Sequence, residues 1–278
     1  MDTSKVPDPD AWRVVVWCTS WVFISGCAQV APVTAPIQDV AAEVVLPVAE
    51  EEALGERMAR ELEREVRLHP SPQLQRYVER VGRAVVRSAR DVPEGIDFRF
   101  RVIDDDEMVN AVTLPGGNVY VYSGLLEALD DEAELAGVLA HEVAHVSRRH
   151  VAERLATLYG LELVHQLALG AGGGALVQLV SQIAATGALL GFSRDQEREA
   201  DVVGLAYLTR AGYDPMGLVR FFETLAAEAP EAPGALQFLQ THPAPAERLS
   251  RLEALIAARP ENPERTARRQ YQAVKRFI

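Results

Sequence analysis

His141-Glu142-Val143-Ala144-His145 is the stretch of sequence that decides the architecture of this chain. Two histidines four residues apart lie on one face of an α-helix, roughly 40° from one another, so both imidazoles can bind one metal ion. Apolar residues surround the motif at helical spacing: Leu135, Val138, Leu139, Val143 and Val146. The pattern therefore predicts a buried helix that carries a metal site, with Asp130 as its N-cap residue. The alternative is a core helix with two structural histidines and a solvated glutamate.

A catalytic zinc site needs a third protein ligand and keeps a fourth position open for water. His150 follows His141 by nine residues and is predicted to point to the opposite side of the helix, so it is rejected as a ligand. Glu197 is the better candidate. It lies on a second predicted helix, which begins with a capping box at Ser193 and ends before Gly212. The predicted metal ligands are His141, His145 and Glu197.

The remaining acidic residues near these ligands are assigned by their helical spacing. Asp201 shares a helix face with Glu197 and is predicted to accept the second ring N–H of a ligating histidine, which fixes the tautomer. Glu199 points about 200° away from Glu197 and is assigned to solvent or a salt bridge. Glu142 lies next to the metal without binding it. It is predicted to act as the general base that removes a proton from the attacking water.

Composition excludes several other classes of function. The chain has 278 residues, of which 48% are apolar and 24% charged, as in ordinary packed globular proteins. The formal net charge of −12 argues against a nucleic-acid partner, because phosphate binding needs a basic face. Both cysteines, Cys18 and Cys27, lie in the N-terminal segment. A catalytic cysteine or a disulfide framework is therefore excluded from the rest of the chain.

Residues 1–26 have the pattern of a lipoprotein signal peptide. The apolar run from Val14 to Ile24 is shorter than the ~20 residues that span a bilayer as a helix. Ile24-Ser25-Gly26-Cys27 resembles the lipobox of bacterial lipoproteins, which implies cleavage before Cys27 and a lipid on that residue. Three acidic residues depart from the positive leader that such signals carry: Asp2, Asp8 and Asp10. The alternative is a buried or frayed N-terminal helix.

The rest of the chain is predicted to be α+β and mostly α-helical. Residues 27–48 combine the lipid-attachment cysteine with a flexible linker rich in Ala, Val and Pro, and residues 49–278 form the catalytic domain. A small strand group occupies residues 97–122, with a tight turn at Pro115-Gly116-Gly117. Residues 155–192 are almost uncharged. They are predicted to form a buried or membrane-facing helical hairpin with its turn at the glycines, in preference to a pair of membrane helices.

The motifs together resemble those of the HtpX/BepA-like gluzincin family of zinc metallopeptidases. The resemblance runs from about Glu50 to Leu249. The matching stretches are Asn110 to Gly124, His141 to His145, Ser193-Arg194 with Glu197, Ala200-Asp201, and Thr241 to Pro243 with Arg248. It implies a zincin-like domain with a small β-sheet ahead of the active-site helix, and one zinc ion per chain. The chain looks most similar to the compact envelope lipoproteins of this family, which lack tetratricopeptide repeats.

The resemblance also implies a function in protein quality control in the envelope of a Gram-negative bacterium. The substrates would be unfolded or misassembled envelope proteins, and a lipid on Cys27 would hold the protein on the periplasm-facing side of a membrane. Ala28 after the lipidated cysteine favours the outer membrane. One rival interpretation is a zinc-containing chaperone or assembly factor with little proteolysis. Another is a membrane-embedded peptidase.

Substrate binding is predicted at the strand group. The segment from Asn110 to Tyr122 is predicted to supply an edge strand along which an extended substrate pairs, the alternative being a purely structural sheet. The predicted substrate-binding residues are Asn110, Ala111 and Arg248.

A fourth histidine is predicted to control access to the metal. His242 lies in a proline-rich stretch and is expected on a loop. The family resemblance implies that it occupies the fourth metal position and must move before water and substrate bind. The alternative is a loop histidine ahead of the next helix, without a role in metal binding.

Overall fold

The computed structural model describes residues 46–187, 191–228, 238–242, 246–259 and 263–278. The predicted signal peptide, the lipidation residue Cys27 and the linker up to residue 45 lie outside the described residues.

Two amphipathic helices open the described chain. Helix α1 spans Val48–Glu65 and helix α2 spans Pro72–Val86. The apolar residues of α1 recur every four positions, which places Leu54, Met58 and Leu62 on one buried face. The side chain of Ser71 caps α2 by accepting a hydrogen bond of 3.3 Å from the Leu74 amide.

A three-stranded sheet precedes the central helix, as predicted. Strand β1 spans Arg99–Ile103, β2 spans Ala111–Thr113 and β3 spans Asn118–Tyr122. The spatial order is β1-β3-β2, with β1 parallel and β2 antiparallel to β3. The short 3-10 turn Pro115–Gly117 connects β2 to β3, and its Gly116 has a φ of 71° that favours glycine.

The two edges of this sheet differ. The outer edge of β1 is closed by side chains of α2: Gln75 bonds the Val102 amide and carbonyl, each at 2.9 Å. Glu79 accepts a hydrogen bond of 2.8 Å from the Phe100 amide. These bonds occupy the groups with which another strand would pair. Strand β2, at the opposite edge, lies beside the central helix.

Helix α3 spans Ser123–Ala128, and the central helix α4 spans Glu132–Ser147. Every residue of α4 is buried, in keeping with a sequence that is apolar on most of its faces. The predicted N-cap, Asp130, is wrong by one residue. Asp131 caps the helix by accepting hydrogen bonds from the amides of Ala133 and Glu134, at 3.0 and 3.1 Å. Asp131 has the extended backbone of an N-cap and directly precedes the first helical residue.

The segment after α4 consists of three short helices: α5 at His150–Tyr159, α6 at Leu161–Ala168 and α7 at Gly173–Thr186. The turn between α6 and α7 contains Gly170 and Gly172, as predicted, both with positive φ. In the part of the chain that the structure describes, no single helix is long and apolar enough to cross a membrane. Helices α6 and α7 would qualify only together, and they are bent by 99°.

Four further helices complete the described fold: α8 at Arg194–Arg210, α9 at Met216–Glu228, α10 at Ala246–Ala257 and α11 at Arg268–Lys275. The predicted capping box at Ser193 is present. Gly204 of α8 faces α4 so closely that an added Cβ would lie 3.0 Å from the Ala140 carbonyl oxygen. This close approach brings the acidic first half of α8 to the histidines of α4. The predicted α+β, mostly α-helical fold is confirmed.

Candidate metal centre

Four buried side chains converge where α4, α8 and the segment before α10 meet. One ligand atom from each lies within 4.8 Å of all the others. The contributing residues are His141, His145, Glu197 and His242. All four were singled out as metal ligands from the sequence, and the structure brings them together.

The spacing of these atoms fits a tetrahedral metal ion. His141 Nε2 lies 3.1 Å from His145 Nε2 and 3.3 Å from His242 Nδ1. Glu197 Oε1 lies 3.4 Å from His145 Nε2 and 3.0 Å from His242 Nδ1. Zinc bonds of about 2.0–2.1 Å to nitrogen and oxygen, arranged tetrahedrally, separate neighbouring ligand atoms by about 3.3–3.4 Å. Three imidazoles and one carboxylate at these distances are therefore a donor set suited to Zn²⁺.

Local sequence explains how each ligand reaches the cluster. His141 and His145 are one helical turn apart on α4. Glu197 lies in the first turn of α8, whose start is fixed by the capping box at Ser193. His242 was expected outside a helix, and it lies at a bend. It directly follows the helical residues 238–241, and its amide donates a hydrogen bond of 2.8 Å to the Phe238 carbonyl.

Glu142 lies beside the cluster and is buried. Its Oε2 accepts a hydrogen bond of 2.6 Å from the Thr113 hydroxyl. Its Oε1 lies 3.5 Å from His242 Nε2 and accepts no hydrogen bond among the described residues. Sequence reasoning missed Thr113, because nothing local shows that the last residue of β2 faces a carboxylate on α4. The contact fixes one oxygen of Glu142 and leaves the other oriented toward the cluster.

Asp201 lies where the sequence predicted, with Oδ1 3.3 Å from His141 Nδ1. Arg248 binds both oxygens of Asp201, at 2.7 and 2.6 Å, and its Nη1 lies 2.6 Å from Glu197 Oε2. Arg248 is only 4% exposed and binds two carboxylates behind the cluster. Its role in substrate binding stays a prediction.

Asn110 and Ala111 are the other predicted substrate-binding residues. Ala111 is the first residue of strand β2, and Asn110 directly precedes it. The Asn110 side chain is fully buried and donates a hydrogen bond of 2.8 Å to the Gly187 carbonyl. Its Oδ1 accepts one of 2.9 Å from the Ala111 amide. Asn110 thus ties the start of the edge strand to the end of α7. Contact of either residue with a substrate stays a prediction.

Electrostatics favour the metal-binding protonation state of His145 and Glu197 but not that of His141. For His141, burial lowers the pKa, but the carboxylates of Asp201 and Glu197 outweigh burial and raise it to about 9. Burial holds the pKa of His145 well below its usual value. For Glu197, burial would raise the pKa, but His242 and the other two histidines hold it well below the usual range. His141 must therefore release a proton when a metal binds at neutral pH.

His150 does not point away from the site, and this expectation is wrong. The expectation assumed one continuous helix, whereas α4 ends at Ser147 and Arg149 adopts a left-handed conformation with a φ of 60°. The break turns the His150 ring back, so that its Nδ1 lies 3.1 Å from His145 Nδ1. His150 is not one of the four clustered residues, which agrees with its rejection as a ligand.

Two residues around this contact complete the surroundings of His145. Glu199, half-exposed, lies 3.4 Å from His150 Nε2 and 3.3 Å from Arg148, the salt bridge that was one of its predicted assignments. The Phe192 ring stacks on the His145 ring, with centroids 3.8 Å apart and planes inclined by 21°. Phe192 was missed, since no sequence pattern places an aromatic residue before α8 against a histidine of α4.

Comparisons with known proteins match most of the described chain. A model of peptidase family M48 matches residues 72–256. The beta-barrel assembly-enhancing protease of Escherichia coli (strain K12) is 32% identical over 237 residues, which cover 80% of this chain and 48% of that protein. The putative beta-barrel assembly-enhancing protease of Vibrio cholerae is 32% identical over 244 residues, or 84% and 49% of the two chains.

A mitochondrial protein is also similar. The mitochondrial metalloendopeptidase OMA1 of Schizosaccharomyces pombe is 35% identical over 181 residues, which cover 64% of this chain and 51% of that protein. The chain therefore spans about half the length of the curated relatives it matches.

Proposed function

The chain belongs to peptidase family M48, and from this premise we propose that it is a zinc-dependent endopeptidase of the bacterial cell envelope. Its substrates are unfolded or misassembled envelope proteins. The match confirms the predicted family and its zincin-like fold. The observation that carries the proposal is the tetrahedral spacing of four buried ligand atoms with the carboxylate of Glu142 beside them.

The roles of the protein groups follow from this arrangement. A zinc ion held here would polarise the substrate carbonyl and make water a nucleophile near neutral pH. Glu142 removes a proton from the attacking water and delivers it to the leaving amine. Its Oε1 performs this transfer, since Oε2 is held by the hydroxyl of Thr113. Arg248 binds Glu197 and Asp201 and thereby balances the negative charge of two buried carboxylates.

Substrate binding is proposed at the outer edge of β2. The Asn110 carbonyl and the Leu114 amide both bond to β3. Because hydrogen bonds alternate along an antiparallel pair, the carbonyls of Ala111 and Thr113 point away from β3. An extended peptide can pair with these groups by β-augmentation, which accepts many sequences and suits a peptidase for unfolded chains. The opposite edge of the sheet, at β1, is closed by Gln75 and Glu79.

Latency is proposed to come from His242. Its Nδ1 lies in the ligand cluster, and four protein ligands make a closed site, whereas catalysis needs an open position. Strand β2 is buried along its whole length, so substrate pairing also requires that edge to become exposed. Both features support a resting state in which His242 acts as a reversible plug.

The cellular location rests on two separate observations. The lipobox-like sequence at Ile24-Ser25-Gly26-Cys27 supports a lipoprotein anchored through Cys27. The names of the bacterial relatives refer to beta-barrel assembly, a process of the outer membrane. We therefore propose a periplasm-facing lipoprotein of the Gram-negative outer membrane, with the membrane and its unfolded proteins as partners and no nucleic acid.

A second candidate is a zinc-containing chaperone or assembly factor with little proteolysis, which the closed four-ligand arrangement favours. The two functions differ in what Glu142 does, because a purely structural zinc site needs no base. Wild type and Glu142→Gln are compared for zinc content and for cleavage of an unfolded test protein such as casein.

If the chain is a peptidase, both proteins should bind about one zinc per chain. The variant should then cleave the test protein about 10²–10⁴-fold more slowly than wild type. Equal cleavage by both proteins, or no cleavage by wild type even after His242→Ala, would favour the assembly factor. Capture of bound proteins on Glu142→Gln in envelope extracts would then identify the substrates.

A further inference from the structure

We propose that His150 is a positioning residue that holds the ring of His145 in the orientation and tautomer required for metal binding. The inference rests on the proposed zinc site and adds a residue outside the ligand set. It starts from one contact: the Nδ1 atoms of His145 and His150 are 3.1 Å apart, and both rings are buried.

Two ring nitrogens at hydrogen-bond distance must divide the roles of donor and acceptor. His145 directs Nε2 into the ligand cluster, where a metal needs its lone pair. The proton of the neutral His145 ring is therefore on Nδ1, which donates to His150 Nδ1. His150 then carries its own proton on Nε2, 3.4 Å from Glu199 Oε2. The arrangement is a relay from the ligand through His150 to a carboxylate at the surface.

The two ligating histidines of α4, His141 and His145, thus have partners of different charge. His141 has a carboxylate partner, since Asp201 lies 3.3 Å from its Nδ1. A second carboxylate directly behind His145 would add negative charge to a buried region that already holds Glu142, Glu197 and Asp201. The neutral imidazole of His150 fixes the tautomer of His145 without adding that charge. The nearest carboxylate in this direction is then Glu199, which contacts the other nitrogen of His150 and is half-exposed.

Two features of the fold hold the His145 and His150 rings against each other. The left-handed residue Arg149 turns the chain back, and its guanidinium forms an ion pair of 2.8 Å with the buried Glu51 of α1. Phe192 stacks on one face of the His145 ring, with the ring centroids 3.8 Å apart, and limits rotation of the ring. His150 therefore contacts the edge of the His145 ring through a hydrogen bond, while Phe192 packs on its face.

The test measures zinc affinity, so it does not depend on peptidase activity. Wild type, His150→Leu, His150→Asn and Glu199→Gln are stripped of metal, and zinc binding is titrated against a chromogenic chelator. Loss of an outer partner of a metal-binding histidine costs about 10–100-fold in affinity, which is the expected weakening for His150→Leu. His150→Asn keeps an acceptor near Nδ1 and should recover most of the affinity. Glu199→Gln should lose a few-fold at most.

His69→Leu is the matched control, because His69 is buried outside the cluster and its Nδ1 accepts a hydrogen bond from the Ser71 amide. It should lower the melting temperature of the metal-free protein without weakening zinc affinity. Wild-type zinc affinity in His150→Leu would overturn the inference while leaving the zinc site intact. Weakening in His150→Leu that His150→Asn fails to recover would also overturn it. Absence of stoichiometric zinc in wild type would instead overturn the proposed function.

Discussion

The hydroxyl of Thr113 donates a hydrogen bond of 2.6 Å to Oε2 of Glu142. Both side chains are buried, and the two residues belong to different elements, the edge strand β2 and the central helix α4. Thr113 thus belongs to the proposed substrate-binding strand through its backbone and contacts the proposed base through its side chain. If a substrate pairs with β2 as proposed, this hydrogen bond connects its binding strand directly to Glu142.

Thr113→Val should lower kcat for cleavage of an unfolded protein by about tenfold or more, since a hydrogen bond to a charged group contributes about 1.5–3 kcal/mol. The substitution keeps the shape of the side chain and removes only the donor. Steady-state kinetics and zinc content are measured for Thr113→Val and for Thr113→Ser, which keeps the hydroxyl. Loss of zinc, or equal loss of kcat in both variants, would contradict a role in positioning Glu142.

His242→Ala should leave zinc bound through the three remaining ligands and raise basal cleavage about tenfold, as expected if the plugged state is favoured by about 1.4 kcal/mol. Cleavage of casein and of the enzyme itself is followed alongside zinc content. His165→Ala is the control, because His165 is exposed and its Nδ1 contacts only Glu50 among the described residues. If His242→Ala shows the same basal cleavage as wild type, His242 does not act as a plug.

The surroundings of Glu132 lead to a prediction of how the free energy of unfolding depends on pH. It is buried and accepts four hydrogen bonds, from Tyr77, Arg80, Tyr213 and Arg265, at 2.6 to 2.9 Å. Burial would raise the pKa of Glu132, but the hydrogen bonds from Arg80, Tyr77 and Tyr213 outweigh burial and lower it from its ordinary value of 4.5. A lowered folded-state pKa stabilises the protein fully above the unfolded-state value. This contribution is lost as pH falls from about 4.5 through the folded-state pKa.

Glu132→Gln should therefore lower the free energy of unfolding by about 1.5–3 kcal/mol at pH 7, since the two arginines left behind are half-exposed, and it should reduce the decline of stability in acid. Urea unfolding of metal-free protein is measured between pH 7 and pH 3.5, so that release of metal does not contribute. Glu94→Gln, at an exposed position, is the control and should leave both quantities unchanged. An unchanged acid dependence in Glu132→Gln would assign the decline to other carboxylates.

Cys27→Ala should move the protein from the membrane fraction to the soluble fraction, because it removes the proposed lipid attachment site. Cell fractionation and the zinc content of the released protein are measured, and zinc content should not change. If the variant stays in the membrane fraction, membrane attachment must instead be assigned to helices α5 to α7. That region carries exposed apolar side chains: Leu158, Leu161, Leu169 and Val177.

Features set by near neighbours in the chain were predictable. The four-residue spacing of His141 and His145 dictates a shared helix face, and the Ser193 capping box places Glu197 in the first turn of its helix. Alternation of apolar and charged residues identified β1 in the same way. The identity of the clustered residues was thus available from the sequence, partly through spacing and, for His242, through family resemblance alone.

The contacts that tune the cluster were not predictable from spacing, because they join residues far apart in sequence. Thr113 and Glu142 are separated by 29 positions, and Asp201 and Arg248 by 47. The sequence by itself determined which elements carry the candidate ligands, since helical and strand periods are local properties of the backbone. Only the tertiary structure decided the direction of His150, because the break at Arg149 is held by Glu51, 98 residues away on another helix.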